Sequence, residues 1–337
     1  MILRARVSFE KPDLLELTKK GYAMADMHVH SRYSDTFTRI HNLIRKAEKL
    51  NIGFALTDHN EIGGAMQAVG NSSGVMVIPG MEVTSYEGLH ILLYFYTTRD
   101  LEEYYSRYIE PNKSANPHMY TNVAADDVLS HAQNYNCITC AAHPFSPTIM
   151  GLYKSIRKQA VEPGIINKLD AFEVICANHL RGMNMRALEW AEELGKGITG
   201  GSDSHSLFEM GRVVSYSEAD SVESFLEAIR GQRNYVCGKE LRNVHRIASY
   251  TKMLNRHLQH LSPTIGLQYN AMIKRPITRE APKIRNKITT LKNRGKEGII
   301  RGRAKLADIK KNPIKEIRSV KEKIKKRIVS TKEQAPL

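Results

Sequence analysis

The sequence lacks long apolar runs and has few cysteines. None of its 337 residues falls in an apolar stretch of about 18 residues, and its start has no basic, then apolar, leader with a small-residue cleavage site. We therefore expect neither a membrane span nor a secretion signal, and we expect a cytoplasmic protein. Four scattered cysteines are too few to crosslink a chain of this size, which fits a reducing compartment.

Cys137 and Cys140 form a Cys-x-x-Cys pair that has no second pair to complete a zinc site. Their neighbours Ile138, Ala141 and Ala142 are small or apolar. We interpret both cysteines as small buried residues of a strand rather than as zinc or redox groups.

Acidic residues are scarce in the last third of the chain. From residue 239 onward there are 27 Lys and Arg against 7 Asp and Glu, whereas the first 238 residues have 23 against 28. The net charge of +15 therefore belongs to the C-terminal part. We predict a domain at 1–240 and a basic, largely helical or partly disordered extension at 241–337.

The extension contains isoleucines at helical spacing, from Ile314 to Ile328, among lysines, which predicts a basic amphipathic helix. Three interpretations stay open. The extension is a solvated tail, it binds nucleic acid through phosphate contacts, or it docks on an anionic membrane surface. The scarcity of aromatic side chains argues against sequence-specific binding of single strands.

Short apolar runs alternate with helical patterns through the first 240 residues. With 42% hydrophobic residues the chain can build a sizeable core. This alternation predicts an α/β fold whose parallel sheet closes into a barrel. The predicted strands lie at 26–30, 53–57, 74–80, 90–95, 137–142, 171–176 and 197–199.

His28 and His30 stand two residues apart on the first of these strands. In an extended segment alternate side chains share a face, so the two imidazoles should point one way and Met27 and Val29 the other. Paired imidazoles suit a divalent metal, although a single His-x-His is weak evidence.

The same kind of residue recurs at the ends of the other predicted strands. A β/α barrel has its active site at the carboxyl ends of its strands. The recurrence of these residues at strand ends therefore indicates an active site, although each residue alone would be weak evidence. The residues are His28, His30, Asp58, His59, Glu82, His143, His179, Asp203 and His205.

These motifs resemble those of the PHP (polymerase and histidinol phosphatase) superfamily over about residues 22–240. The matching segments are His28-x-His30 with Ser34-Asp35, Thr57-Asp58-His59-Asn60, Pro79-Gly80-x-Glu82-Val83, His90-Ile91-Leu92, Ala142-His143-Pro144 and Gly201-Ser202-Asp203-x-His205. The resemblance implies a distorted seven-stranded, TIM-like β/α barrel with two or three divalent metal ions (Mn, Zn or Fe). It is closest to the stand-alone phosphoesterase branch, which includes nucleoside 3′,5′-bisphosphate phosphatases that also trim nucleic acid from the 5′ end.

By position, the resemblance implies nine metal ligands, all of which are present. They are His28, His30, Asp35, His59, Glu82, His90, His143, Asp203 and His205. Glu82 would bridge two metals, one held also by His28, His30 and Asp203 and the other by His90 and His143. Asp35, His59 and His205 would hold a third.

Further residues are candidates for roles around the metals. Asp58 is a candidate base or hydrogen-bond partner, and His179 is a candidate to contact substrate or protonate the leaving group. Arg32, Arg181 and Arg212 are candidates to clamp phosphate, because a guanidinium can bind two oxygens at once.

The expected activity is hydrolysis of a phosphomonoester of a nucleotide or short oligonucleotide by metal-activated hydroxide, with 5′–3′ exonuclease action as an extension of it. One alternative is a phosphatase for a small metabolite such as histidinol phosphate. The other is a metal-bearing scaffold whose basic tail binds nucleic acid or membrane. A complete ligand set argues against the scaffold.

Overall fold

The computed structural model describes residues 3–72, 74–242 and Arg246. These residues belong to one compact unit, Met1–Ala271, and the second unit, Met272–Leu337, lies outside them. The predicted amphipathic helix therefore lies outside the described residues. So do the predictions about the rest of the basic extension beyond residue 242, apart from Arg246.

The described residues form an α/β fold, as predicted. One continuous sheet runs through them in the order β1-β10-β9-β2-β3-β4-β5-β6-β7-β8. Its strands are β1 (Val7–Ser8), β2 (Ala23–Val29), β3 (Gly53–Leu56), β4 (Val77–Thr84), β5 (His90–Phe95), β6 (Cys137–Ala141), β7 (Ala171–Cys176), β8 (Gly197–Gly201), β9 (Val213–Ser217) and β10 (Tyr235–Gly238).

The sheet curls so that its eighth strand meets its second. Beyond β8, the N–H of Ser204 donates to the carbonyl of His28, and the N–H of His30 donates to the carbonyl of Ser204. All seven predicted strands are present, and β1, β9 and β10 extend the sheet beyond them. The barrel-like architecture is therefore confirmed, with a longer sheet than the seven strands expected.

The sheet is mixed rather than wholly parallel. β2, β3 and β4 are parallel, as are β6, β7 and β8, but β5 runs antiparallel to both β4 and β6. Reversal of β5 brings its first residue, His90, opposite Thr84 near the end of β4. A histidine at the start of one strand therefore lies at the same edge as residues at the ends of its neighbours.

The helices lie between strands and follow local sequence signals. In α2, Ile40, Leu43, Ile44 and Ala47 are buried, and Asn51 ends the helix with φ of 52°. The helices are α1 (Leu14–Lys19), α2 (Ile40–Leu50), α3 (Gly63–Asn71), α4 (Thr98–Tyr104), α5 (Ala125–Ala132), α6 (Leu152–Arg157), α7 (Arg181–Glu193) and α8 (Val222–Arg230).

Cys137 and Cys140 are buried within β6, as the sequence indicated. They pack into two different apolar clusters, one on each side of the strand. Chain beyond the predicted boundary at residue 240 is still attached to this fold, since the N–H of Leu241 donates to the carbonyl of Ala177.

Candidate metal centre

Nine histidine and carboxylate side chains converge at one edge of the sheet. Residues at the carboxyl ends of parallel strands share an edge, and the reversed β5 adds its first residue to it. The nine are His28 in β2, His30 and Asp35 after β2, His59 after β3, Glu82 in β4, His90 in β5, His143 after β6, and Asp203 and His205 after β8. Eight of the nine residues are buried, and the side chain of Asp203 is 14% exposed.

Glu82 lies at the centre of this cluster. Its Oε2 atom is 3.0 Å from His59 Nδ1, 3.4 Å from His28 Nε2 and 3.5 Å from His30 Nε2. Its Oε1 atom is 2.8 Å from His90 Nδ1 and 3.4 Å from His143 Nε2. The two oxygens of one carboxylate thus face two different groups of imidazoles.

Backbone pairing fixes Glu82 beside His59. The N–H of Asn60 donates to the carbonyl of Glu82, and the N–H of Glu82 donates to the carbonyl of Asp58. These bonds prolong the pairing of β3 and β4 past the end of β3. Glu82 therefore lies two residues before the end of β4, and not after the strand as most of the other cluster residues do.

Several buried atoms of the cluster have no hydrogen-bond partner. They are His28 Nε2, both ring nitrogens of His30, His59 Nδ1, Glu82 Oε2 and His143 Nδ1. Ligand atoms about 2.0–2.2 Å from one ion lie roughly 3.0–3.5 Å from each other, which is the spacing seen around Glu82 Oε2. Buried polar atoms at this spacing without hydrogen-bond geometry fit divalent metal ions.

Asp35 and His205 face each other on the other side of His59. Asp35 Oδ2 is 3.0 Å from His205 Nε2 and 3.6 Å from His59 Nε2. His30, His59 and His205 form one group whose ligand atoms lie within 4.8 Å of one another. Two further groups share Glu82, one with His28 and His30 and the other with His59 and His90.

Hydrogen bonds orient the imidazoles toward the cluster. His205 Nδ1 is 2.9 Å from the carbonyl oxygen of Asp203, which leaves Nε2 toward Asp35. His28 Nδ1 is 3.0 Å from Glu173 Oε1, which leaves Nε2 toward Glu82. A carboxylate or carbonyl behind a histidine is the usual way in which a protein fixes a metal-binding nitrogen.

Sequence reasoning missed Glu173. Its second oxygen accepts a 2.7 Å bond from the backbone N–H of His143, so one carboxylate holds two cluster residues. Glu173 is buried inside β7. In the sequence, its only indication of a functional role was that an acidic residue interrupts an apolar run.

Asp26 and Asp58 are buried carboxylates that hold the loops of the site. Asp26 accepts from the N–H and hydroxyl of Ser202 and from the N–H of Gly211. Asp58 accepts from the N–H and hydroxyl of Ser31 and from the hydroxyl of Ser34. Burial raises the pKa of each to about 6. Asp58 is thus a hydrogen-bond partner of the loop before Asp35, behind the candidate metal centre.

Opposite charges set the electrostatics of the cluster itself. Burial alone would raise the pKa of Glu82, but His90, His59 and His28 hold that pKa well below its usual range. Burial alone would likewise raise the pKa of Asp35, and His205 and His59 hold it well below. Both shifts favour the ionised carboxylate, which is the form that binds a metal ion.

The backbone is strained at two cluster residues. His143 has φ of 27° and Asp203 has φ of 51°, in a region that side-chain-bearing residues seldom adopt. Such strain persists only where surrounding contacts fix it, and it is concentrated at functional sites.

The prediction that Met27 and Val29 share a face is wrong. Met27 packs in the cluster that contains Ala25 and Ala55, whereas Val29 packs in the cluster that contains Leu43 and Leu56. The register between β2 and β3 shifts between Asp26 and Val29. A bulge of this kind changes the alternation of side chains.

His179 lies beside the cluster, with its ring stacked on that of His143 at 5.0 Å. Its Nδ1 atom is 3.2 Å from Cys176 Sγ. Burial, with the adjacent His143, lowers the pKa of His179 to about 3, which disfavours the protonated form that a general acid requires. Its role in protonating a leaving group stays a prediction.

The three candidate arginines differ in their surroundings. Arg181 makes two bonds to the Glu240 carboxylate, of 2.7 and 2.8 Å, and a third to the carbonyl of Phe9. Arg212 lies over the ring of Phe208 at 4.4 Å, and its buried Nε has no hydrogen-bond partner. Arg32 is exposed and lines a surface hollow of about 290 Å³ with Thr36, Phe37 and Arg39.

A curled α/β sheet with a buried histidine and carboxylate cluster at its carboxyl edge defines a metal-dependent hydrolase. The chain belongs to the PHP superfamily of phosphoesterases: the model of the PHP domain matches residues 26–163, and the PHP-associated model matches residues 182–234.

Solved structures share this fold. The lesion-specific endonuclease Q of Pyrococcus furiosus matches with a TM-score of 0.51 and 18% identity, over 64% of this chain and 57% of that chain. Endonuclease Q in complex with a 27-mer duplex that has an abasic lesion at the active site matches with a TM-score of 0.51 and 17% identity, over 65% of this chain and 60% of that chain. These matches span less than two thirds of the endonuclease Q chains, and at such identities they show the fold alone.

A two-domain protein of Bacteroides vulgatus, described as containing a predicted PHP-like metal-dependent phosphoesterase, has a TM-score of 0.48 and 15% identity over 73% of each chain. No curated protein matches this chain in sequence. Among the described residues, every helix is too short or too polar to cross a membrane.

Proposed function

We propose that this chain hydrolyses a phosphomonoester of a nucleotide or short oligonucleotide, and that release of nucleotides from a 5′ end is an extension of the same reaction. The observation that carries the proposal is the position of Glu82, whose two oxygens face two groups of imidazoles. That arrangement suits a carboxylate shared by two metal ions, which is the usual arrangement in enzymes that cleave phosphate esters.

The described residues suit two or three ions. His28, His30 and Asp203 would hold one with Glu82, His90 and His143 would hold a second with Glu82, and Asp35, His59 and His205 would hold a third. A mixed imidazole and carboxylate set suits Mn, Zn or Fe. When bound, such ions polarise phosphate oxygens and lower the pKa of water.

The protein's own contribution is to fix these ligands and to bind the phosphate. Glu173 and the carbonyl of Asp203 set which nitrogen of His28 and His205 faces the centre. Arg32 and Arg212 are the candidates for phosphate oxygens, because Arg32 lies between His30 and Asp35 and Arg212 follows His205 by seven residues. Arg181 would have to leave the Glu240 carboxylate before it could take this role.

A rim of exposed apolar side chains supports a substrate that carries nucleobases. Phe37, Leu180 and Phe208 are 63%, 48% and 55% exposed. Each follows a residue of the site by one to three positions, namely Asp35, His179 and His205. Aromatic side chains next to arginines favour stacking of bases, which is tolerant of sequence.

A panel of substrates tests the proposal against its alternatives. Mn-loaded protein should hydrolyse a nucleoside 3′,5′-bisphosphate or a 5′-phosphorylated oligonucleotide faster than histidinol phosphate. The His30→Ala variant should lose this activity, whereas His41→Ala, a change at an exposed histidine on α2, should not. Preference for histidinol phosphate would favour the small-metabolite alternative, and no hydrolysis of any of the three would favour the scaffold.

The basic extension needs its own test. A chain that ends at Ala271 should keep hydrolysis of small nucleotides, and should bind oligonucleotides more weakly and with a smaller dependence on salt, if the extension binds nucleic acid. Unchanged oligonucleotide binding together with lost binding to anionic vesicles would favour the membrane interpretation instead.

A further inference from the structure

A second group of ligand-type side chains adjoins the candidate metal centre. It consists of Cys176 at the end of β7, His179 three residues beyond it, and Asp203, and their ligand atoms lie within 4.8 Å of one another. Cys176 Sγ is 3.2 Å from His179 Nδ1 and 3.8 Å from Asp203 Oδ2. Neither Cys176 nor His179 belongs to the nine residues described above.

The two oxygens of Asp203 face two different groups. Oδ1 is 3.2 Å from His30 Nε2 and 3.6 Å from His28 Nε2. Oδ2 faces the thiol of Cys176. A metal beside Cys176 and His179 would therefore share this carboxylate with the centre around Glu82.

Thiolate, imidazole and carboxylate together are zinc ligands. Soft ligands such as thiolate select zinc over manganese or magnesium. This group should therefore prefer a different metal from the imidazole and carboxylate cluster beside it. The partial exposure of the Asp203 side chain, 14%, provides access for an ion although Cys176 is buried.

We infer that Cys176, His179 and Asp203 bind one Zn²⁺ at a site additional to the nine-residue metal centre and joined to it through Asp203. The thiol loses its proton to solvent when the thiolate binds the ion. Three protein ligands leave a fourth position open for water or another small ligand. The inference does not depend on which phosphoester the protein hydrolyses.

Substitution of Cys176 is compatible with folding because Asn184 holds its backbone. The Cys176 N–H donates to Asn184 Oδ1, and Asn184 Nδ2 donates to the Cys176 carbonyl. A serine at this position keeps these bonds and can still hydrogen-bond to His179 and Asp203, but it removes the thiolate. Cys176→Ser therefore separates a metal-binding thiol from one that only makes hydrogen bonds.

Cobalt(II) is the probe, because its bond to a thiolate gives an intense charge-transfer band in the near ultraviolet that imidazole and carboxylate ligands do not give. Full-length protein freed of metal and titrated with Co²⁺ should show this band, and added Zn²⁺ should abolish it. Cys176→Ser should lack the band. Cys237→Ser, a change at a half-buried thiol on β10, should retain it.

Zinc affinity provides a second measurement. The Cys176→Ser and His179→Gln variants should each bind Zn²⁺ at least about tenfold more weakly than the unaltered protein. Absence of the charge-transfer band from the unaltered protein would overturn the inference. So would a band that persists in Cys176→Ser or disappears in Cys237→Ser, because the thiolate would then belong to another cysteine. Loss of phosphoesterase activity with the band intact would count against the proposed function alone.

Discussion

Glu173 Oε1 lies 3.0 Å from His28 Nδ1, while the other oxygen of the same carboxylate accepts the backbone N–H of His143. One buried side chain on β7 therefore positions His28 near the end of β2 and His143 after β6. It touches neither a predicted substrate nor the centre of the cluster, so its expected role is to position metal ligands.

Glu173→Gln should weaken metal binding about 10- to 100-fold, the usual effect of losing a residue that orients a ligand. His28 and His143 face different oxygens of Glu173, and glutamine replaces one of these oxygens with an NH2 group that cannot accept a hydrogen bond. Metal titration with activity as the readout measures the change, and saturating metal should restore most of the rate. Glu223→Gln, at an exposed position on α8, is the matched control. Equal metal affinity in the two variants would rule out this role.

Removal of metal should destabilise the fold. Buried nitrogen and oxygen atoms around Glu82 have no hydrogen-bond partner, and bound ions would satisfy them. At a free metal concentration about 100 times the dissociation constant, binding to the folded state adds about 2.7 kcal/mol. Thermal unfolding with chelator and then with Mn²⁺ should show a reversible rise in Tm. The rise should be smaller in His30→Ala and unchanged in His41→Ala.

Arg32→Ala should lower the efficiency of phosphoester hydrolysis while metal content stays the same. Loss of a charged hydrogen bond to phosphate costs about 1.5–3 kcal/mol, or roughly 10- to 150-fold in kcat/KM. Arg45→Ala, at an exposed position on α2, controls for loss of a positive charge. A decrease in bound metal that parallels the decrease in rate would assign Arg32 a structural role instead.

Phe208→Ala should affect substrates according to whether they carry a base. Stacking contributes about 1–3 kcal/mol per base, so KM for an oligonucleotide should rise roughly 5- to 150-fold. Hydrolysis of a sugar phosphate, which has no base, should change little. Leu15→Ala removes another exposed apolar side chain, 66% accessible, and should leave both substrates unaffected. Equal effects on the two substrates would contradict base stacking.

The Arg181 and Glu240 pair should stabilise the protein at neutral pH and lose its effect in acid. Burial alone would raise the pKa of Glu240, but hydrogen bonds from Arg181, its own backbone and Asn184 lower it. A lowered pKa means that the stabilisation is present above the usual carboxyl range and disappears as pH falls through the folded-state value. A double-mutant cycle of Arg181→Ala and Glu240→Gln should give about 0.5–1 kcal/mol of coupling at pH 7. Coupling that persists after the carboxyl is protonated would show that charge is not its source.

The sequence by itself determined the fold class, the seven predicted strands and the family. Apolar runs of strand length, helical spacing in α2 and polar residues after each strand are local patterns, and local patterns persist in the folded chain. The burial of Cys137 and Cys140 in a strand was also predictable, because their neighbours are apolar. The nine-residue ligand set is implied by the matched motifs, and both the set and its division among ions stay predictions.

Only the tertiary structure decided which side chains meet. Glu173 is 145 residues from His28, and no local pattern links them. The bulge in β2 moved Met27 away from the face of Val29, and the reversal of β5 placed His90 among strand ends. The salt bridge between Arg181 and Glu240 likewise joins residues that are 59 positions apart in the sequence. Distances of this kind follow from the packing of the whole sheet, which sequence periodicity does not specify.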